Sequence, residues 1–343
     1  MNSNQKDTKV SVYCLAYNHE KYIRKTLDGF VSQITDFNFE VWVHDDASTD
    51  HTPDIIQEYA DRYPAIIKPI YQQENQYSKG VGITHTYIYP NMQGKYIASC
   101  EGDDYWNDPY KLQKQFVALE THPECSLSTH KVLCCNEDGK LNECVLPADY
   151  YHIHETRVIE EKELAQCYFI RGNYPFHTSS YFYRKEIIDI ELNYPRDVGV
   201  LRKCLVLGSV YFFDEPMSIR RLWSIGNWNS RMKDGGIHAW WKLRITDIVF
   251  EDEFDRYTDY LYHDFIRADM LKKFIEFVWC PKYRREAKKI LRKYELTPWK
   301  VRKVLPINIF LKLEMKYVLA MYFPDCYSGT KKIWLLATGR NRK

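Results

Sequence analysis

The chain has no apolar run of the roughly 18 residues that a membrane-crossing helix requires. Its opening residues, "MNSNQKDTK", lack the apolar core of a signal peptide, so the expected location is cytoplasmic. The 10 cysteines include no CxxC pair and the 11 histidines no HExxH spacing, which removes the usual sequence signs of a zinc site. Most cysteines sit in apolar runs and are expected to be reduced core residues. Cys134 and Cys135, being adjacent, would point to opposite faces of a strand and so not share a metal. There is no internal repeat and no low-complexity linker. After the first apolar run, "CLAYNHEKY" contains no glycine, so the Gly-rich phosphate loop of many nucleotide-binding proteins is missing.

What is present is an ordinary globular composition with uneven charge. The net charge is only +2. Residues 271–343 hold 19 Lys/Arg against 5 Asp/Glu, leaving 29 against 41 in the rest. An acidic body with a basic tail suggests a polyanionic partner for the tail, and its mixture of Trp, Tyr and apolar residues suits an anionic lipid surface. A solvated or packed helical face is the alternative. Nothing resembles a base-reading motif, so no nucleic acid is expected.

Along the chain, apolar runs at 10–15, "FEVWVHDD", "IIKPIYQ" and 95–100 read as strands. The 3.6-residue pattern in 20–33, the segment after Thr52-Pro53, and the segment opened by Asp108-Pro109 read as helices. Alternation of the two predicts βαβ units and a mainly parallel sheet. Thr52 is the expected N-cap of the second helix. After Pro123 the pattern shifts to a hairpin at Asp138-Gly139, a helix near 159–169, a strand at 180–183, a helix at 197–207 and the strand "SVYFFDE". From about 236 the chain reads as helical.

Open parallel sheets collect ligands beyond the carboxyl ends of their strands. Three such ends are distinctive here: Tyr17-Asn18, Asp45-Asp46 and Asp103-Asp104. Carboxylates gathered at a crevice need a cation, and Mg²⁺ or Mn²⁺ suits them, usually completed by substrate phosphates. The stretch "YIASCEGDDYWNDP" is therefore expected to hold a metal-bound diphosphate. Turn and cap roles for Asp are the competing explanation.

The stretches "VSVYCLAYNHEKYIRKTLDGFVSQ", "EVWVHDDASTDHTPDII" and "GKYIASCEGDDYWNDPYKLQKQ" resemble the family 2 glycosyltransferases. The likeness runs over about 8–230 and is densest before 125. It implies a GT-A fold, a Rossmann-like mixed sheet for nucleotide-diphospho-sugars, with a C-terminal helical extension. The implied domains are a catalytic 1–230 (nucleotide half about 8–125, acceptor half about 126–230) and a basic, aromatic 231–343. Nucleotide contacts fall by this resemblance on Tyr17 (stacking on the base), Asp46 (base or ribose), Asp103 and Arg221; Leu15 is added to them, as is Lys79, a cation placed before a helix where it could reach phosphate. Asp103 and Asp104 take the part of the family's acidic metal motif, holding Mn²⁺ or Mg²⁺. Ala47 stands where the family commonly has Gly.

Asp197, ahead of the strand in "RDVGVLRKCLVLGSVYFFDEPMSIRR", resembles the family's general base; a helix N-cap is its other reading. Asp214-Glu215 are weaker candidates at a strand end. Glu101, His177, Trp223 and Trp228 are assigned to the acceptor or sugar side, with a structural role for His177 equally open. The implied reaction is inverting transfer from a nucleotide sugar, most simply a UDP-sugar, to a glycan or lipid-linked acceptor. The site would lie in the cytoplasm, peripheral to the membrane. A sugar-nucleotide pyrophosphorylase and a catalytically silent sugar-nucleotide-binding scaffold are the rivals. The missing Gly-rich loop speaks against the first and the intact acidic set against the second.

Overall fold

The computed structural model describes residues 8–171, 175–192, 198–222 and 235–322. These fall into two compact units, Met1–Leu164 with Tyr174–Ser230, and Ala165–Asn173 with Arg231–Lys343.

The first unit begins with β1 (Thr8–Ala16), α1 (Ile23–Val31), β2 (Asn38–Asp45), α2 (Thr52–Arg62), β3 (Ile67–Tyr71) and β4 (Tyr96–Ser99). Val10 through Cys14 are all buried, as expected of a strand covered on both faces. Helix α1 buries Ile23, Leu27 and Phe30 along one stripe, and α2 buries Ile56, Tyr59 and Ala60. Both pack into a core shared with Val12, Val41 and Ala98. There follow β5 (Tyr105–Trp106), α3 (Lys111–Thr121), β6 (Cys125–Cys135), β7 (Leu141–Leu146), β8 (Arg157–Ile159), α4 (Glu161–Ala165), β9 (Phe182–Arg184), α5 (Val198–Leu207) and β10 (Ser209–Arg221).

The main sheet path runs β3-β2-β1-β4-β9-β6-β10-β5. Its first four strands are parallel. The sheet as a whole is mixed, because β9 runs antiparallel to both β4 and β6, and β5, β7 and β8 add further antiparallel pairs. The hairpin expected at Asp138-Gly139 joins β6 to β7, with Gly139 at φ 83°. It also sets Cys144 beside Cys134. Cys144 is exposed, unlike the expected core cysteines, and its hydrogen bond to Cys134 brings its thiol down to about 6.

Three sequence expectations shift. Helix α1 starts at Ile23 because Tyr22 and Ile23 both donate backbone N–H groups to His19 O at 2.8 Å, closing a turn first. Thr52 does not cap α2: its Oγ1 accepts the His19 N–H (2.8 Å), while Asp50 accepts the Thr52 N–H (3.0 Å). Strand β10 runs on past Asp214-Glu215, accommodating Pro216 at an irregularity of register. Those two acids pair on the surface with Lys131 and Lys114.

The second unit contains α6 (Gly236–Tyr257), α7 (His263–Ile275), α8 (Arg284–Lys293) and α9 (Ile307–Tyr322). Trp241, Phe274, Phe277 and Tyr283 form its aromatic centre. Lys273 is buried between Asp269 and Glu251. The Lys272 ammonium donates to the carbonyls of Phe169 (2.6 Å) and Ile170 (2.8 Å), which fastens the 165–171 segment to α7. No described helix is long and apolar enough to cross a membrane.

Close approach beneath the parallel strands depends on Gly94. A Cβ there would lie 2.5 Å from Ser11 N and 2.6 Å from Val10 C. The Gly94 N–H donates to Ser11 Oγ (2.8 Å), which donates to buried Glu40 (2.7 Å). Gly94→Ala must push β1 and β4 apart and is expected to destabilise the protein by about 1–3 kcal/mol, read as a fall in the denaturant midpoint with unchanged slope.

Candidate active site

Register brings the strand ends together. Leu15 pairs with His44 and Ala16 with Asp45, and Tyr13 pairs with Ser99 on the other side of β1. The loops after β1, β2 and β4 therefore start at one edge of the sheet. Leu15 is half-buried and its carbonyl accepts the Gly102 N–H at 2.9 Å. Tyr17 follows, 45% exposed and open to stacking.

The β1 and β2 loops hold each other. Asn18 donates its N–H to Ser48 Oγ (2.9 Å) and accepts from Thr49 N (2.8 Å). Asp45 accepts from Ser48 N (3.0 Å) and Oγ (2.5 Å). Ala47 sits at φ 59°, a left-handed conformation that costs a non-glycine residue about 1–2 kcal/mol. The family's glycine at this place is thus a conformational requirement, which Ala47 meets under strain. Asp46 is buried, and its two oxygens accept the N–H groups of Gln76 (2.7 Å) and Tyr77 (3.0 Å). It shapes the loop after β3. Lys79, in that loop, is ion-paired with Glu74.

The β4 loop is packed against α1. A Cβ on Gly102 would meet His19 Nδ1 at 2.7 Å. Thr26 donates to the carbonyls of Gly102 (3.0 Å) and Asp104 (2.5 Å). The His19 Nδ1 is buried with no hydrogen-bond partner among the described residues. Burial keeps this ring neutral although Asp103, Asp50 and Asp45 all lie near enough to favour its charge. His19 thus marks where the acids of two strand ends converge.

Asp103 and Asp104 have different surroundings. Asp103 is half-buried and Asp104 fully so. Asp104 Oδ1 accepts the Arg221 N–H at 2.7 Å; its Oδ2 is 3.6 Å from His177 Nδ1. Burial, then the neighbouring Asp103, pushes the Asp104 carboxyl well above the usual carboxylate range. The Arg221 guanidinium donates to the carbonyls of Asp103 (3.2 Å) and Glu137 (3.0 Å) and lies 4.6 Å over the Tyr22 ring. His177 is largely buried, 2.9 Å from Ser179 Oγ, and burial with Arg220 nearby keeps its ring neutral. Its contacts are those of the structural alternative. Glu101 is half-buried at the start of the loop. Asp197, Trp223 and Trp228 lie outside the described residues.

Among the described residues no three His, Cys, Asp or Glu side chains converge as a metal site. The hard carboxylate oxygens nevertheless suit a divalent ion held by one or two protein ligands and completed by phosphates. Asp103, half-buried, fits that pattern, and Asp104 is enclosed with one oxygen accepting the Arg221 N–H.

Sequence reasoning missed His19, Tyr22 and Lys111. Lys111 carries no exposed surface; its ammonium lies 4.1 Å over the Trp106 ring and donates to Gln115 Oε1 (2.6 Å). Gln115 in turn donates to the carbonyls of Ser128 and Ser180. A lysine on an amphipathic helix gives no sequence sign of such burial.

A parallel nucleotide-binding-type half, an antiparallel bridge strand and an acid-bearing loop at the end of β4 together define a GT-A fold. A family model described as "Glycosyl transferase family 2" matches residues 11–184, just over half of the 343 residues. The chain belongs to glycosyl transferase family 2, a family of sugar-transferring enzymes. It is 36% identical over 238 residues to an uncharacterized protein of Mycobacterium bovis, covering 68% of this chain and 64% of that one. The chain thus spans less than two thirds of that relative's length. It is also 36% identical over 112 residues to UDP-Glc:alpha-D-GlcNAc-diphosphoundecaprenol beta-1,3-glucosyltransferase WfaP of Escherichia coli, covering 33% and 41%. In fold it is similar to S. aureus TarS 1-349 in complex with UDP-GlcNAc, with TM-score 0.62 and 17% identity over 94% and 92% of the two chains.

Burial pushes the Lys111 ammonium down to about 7, against about 10.4 in an unfolded chain. Between these values the unfolded chain binds more protons, so stability rises with pH. The stability difference between wild type and Lys111→Met should shift toward wild type from pH 7 to 10, by up to about 1.4 kcal/mol per pH unit, in parallel urea titrations.

Proposed function

We propose that the protein transfers a sugar from a UDP-sugar to a hydroxyl of a glycan or lipid-linked acceptor, with inversion at the anomeric carbon. The observation that carries this reading is the β4 loop, where half-buried Asp103 adjoins an enclosed Asp104 and Arg221 holds both. The name of the Escherichia coli relative states a UDP-Glc donor and a lipid-linked acceptor, and TarS is solved with UDP and with UDP-GlcNAc. These support the choice of donor and acceptor class. In this reading the enzyme works at the cytoplasmic face of a membrane.

In this reading Tyr17 stacks on the base. Asp46 acts through the loop at Gln76 and Tyr77, and Leu15 lines the floor. Asp103 is the protein ligand for Mn²⁺ or Mg²⁺, with Asp104 positioning it. The bound cation would offset charge on the departing diphosphate. Arg221 acts by holding the Asp103–Asp104 turn. Asp197 takes the proton from the acceptor hydroxyl, its carboxylate becoming the acid as the new glycosidic bond forms and the bond to phosphate breaks. Attack in line from the face opposite the diphosphate inverts configuration. Glu101, Trp223 and Trp228 belong to the sugar and acceptor side.

Incubation with UDP-sugars and Mn²⁺ should give slow UDP release that accelerates with acceptor. Asp197→Asn should lower transfer by about 10²–10⁴-fold with UDP affinity unchanged within a few-fold. Loss of transfer and nucleotide affinity together would make Asp197 structural, and no UDP release from any sugar nucleotide would favour the silent scaffold.

A further inference from the structure

Helix α9 is apolar on two opposite sides. Phe310, Leu313 and Ala320 are buried on one. On the other, Ile307, Leu311, Met315, Val318 and Tyr322 are 42% to 73% exposed. Spacings of four, four, three and four residues keep these five on a single stripe of a 3.6-residue helix. Packing within the unit explains the first side and leaves the second unaccounted for. Exposed apolar stripes of this kind mark a contact with something else.

The surroundings of the stripe are largely cationic, with Glu314, three residues after Leu311 and four before Val318, as an acid along its edge. Lys312 is exposed on its flank, and Arg302 and Lys303 are exposed just before the helix. Trp299, 60% exposed, packs edge-on against Phe310 at 5.2 Å and carries the Arg302 guanidinium 5.5 Å above its ring. At the other end, Lys288 of α8 donates to Met321 O at 2.9 Å. Beside Lys288 on α8, a concavity is lined by Arg285, Lys289, Arg292 and Lys293. Aromatic residues at both ends, aliphatic ones between and cations around them are the composition of a helix lying in a lipid interface.

We propose that this face of the second unit docks on an anionic bilayer, with the α9 stripe in the acyl boundary and the α8 cations against lipid phosphates. A second copy of the chain fits less well, since a two-fold contact would bring like clusters of Arg and Lys together. The proposal is independent of the sugar-transfer reading, because vesicle binding is measured without any donor.

The test is co-sedimentation of the full chain with phosphatidylglycerol or phosphatidylcholine vesicles. Binding to the anionic vesicles should exceed binding to the neutral ones by at least about tenfold and fall with added salt. Leu311→Asp with Met315→Asp should lower it by at least about tenfold. Arg285→Glu with Lys289→Glu, both at exposed positions, should abolish the lipid preference while leaving the circular dichroism spectrum unchanged. Absence of binding to anionic vesicles overturns the proposal. So does binding unaffected by either double substitution, or a wild-type dimer in sedimentation equilibrium that Leu311→Asp with Met315→Asp dissociates.

Discussion

The carboxylate of Asp104, removed from water and held by the backbone N–H of Arg221, is the contact on which the site depends. It joins residues 117 positions apart and links the end of β4, in the parallel half of the sheet, to the end of β10, in the mixed half. The Arg221 side chain reinforces the link by donating to Asp103 O. A buried carboxyl with one neutral donor is electrostatically uneasy, as its raised proton affinity shows. Such a group tolerates burial when geometry elsewhere holds it in place. Here Thr26 clamps the same turn from below through two carbonyls, and Gly102 lets it lie against His19.

This arrangement divides labour between two adjacent acids. Asp104 is enclosed and holds the turn to β10, whereas Asp103 is half-buried. Asp45 and Asp46 show the same economy: their oxygens organise the loops around Ser48 and around Gln76-Tyr77. Tyr17 then stands exposed on a loop whose own shape is fixed by its neighbours. The site is built largely from acids that shape backbone, and only in part from acids that could meet a ligand.

The parallel half was legible in the sequence because its signals are local. Unbroken apolar runs predict β1 and β2, the 3.6-residue stripe predicts α1 and α2, and the paired acids after the second and fourth strands lie at one edge of the sheet, as their positions at strand ends imply. The antiparallel β9, the onward course of β10 and the hold of Arg221 on Asp104 were not legible, since each arises from pairing between distant segments. His177 illustrates the limit. Its residue type left an acceptor contact and a structural role equally open, while its depth and its contact with Ser179 are set by tertiary packing that the sequence does not show. Ala47 went the other way: the family likeness flagged it, and the backbone angle supplied the physical reason.

The chain's path between its two units has a bearing on ancestry and on exchange of parts. Residues 165–173 belong with the second unit although the chain then returns to complete β9, α5 and β10 in the first. Cys167, Tyr168, Phe169 and Ile170 are buried there, under carbonyls gripped by Lys272. The C-terminal helices are therefore not an appendage that recombination could swap at one junction. A chain shortened before α6 would leave the apolar helical turn at Cys167–Ile170 without the helix that holds it.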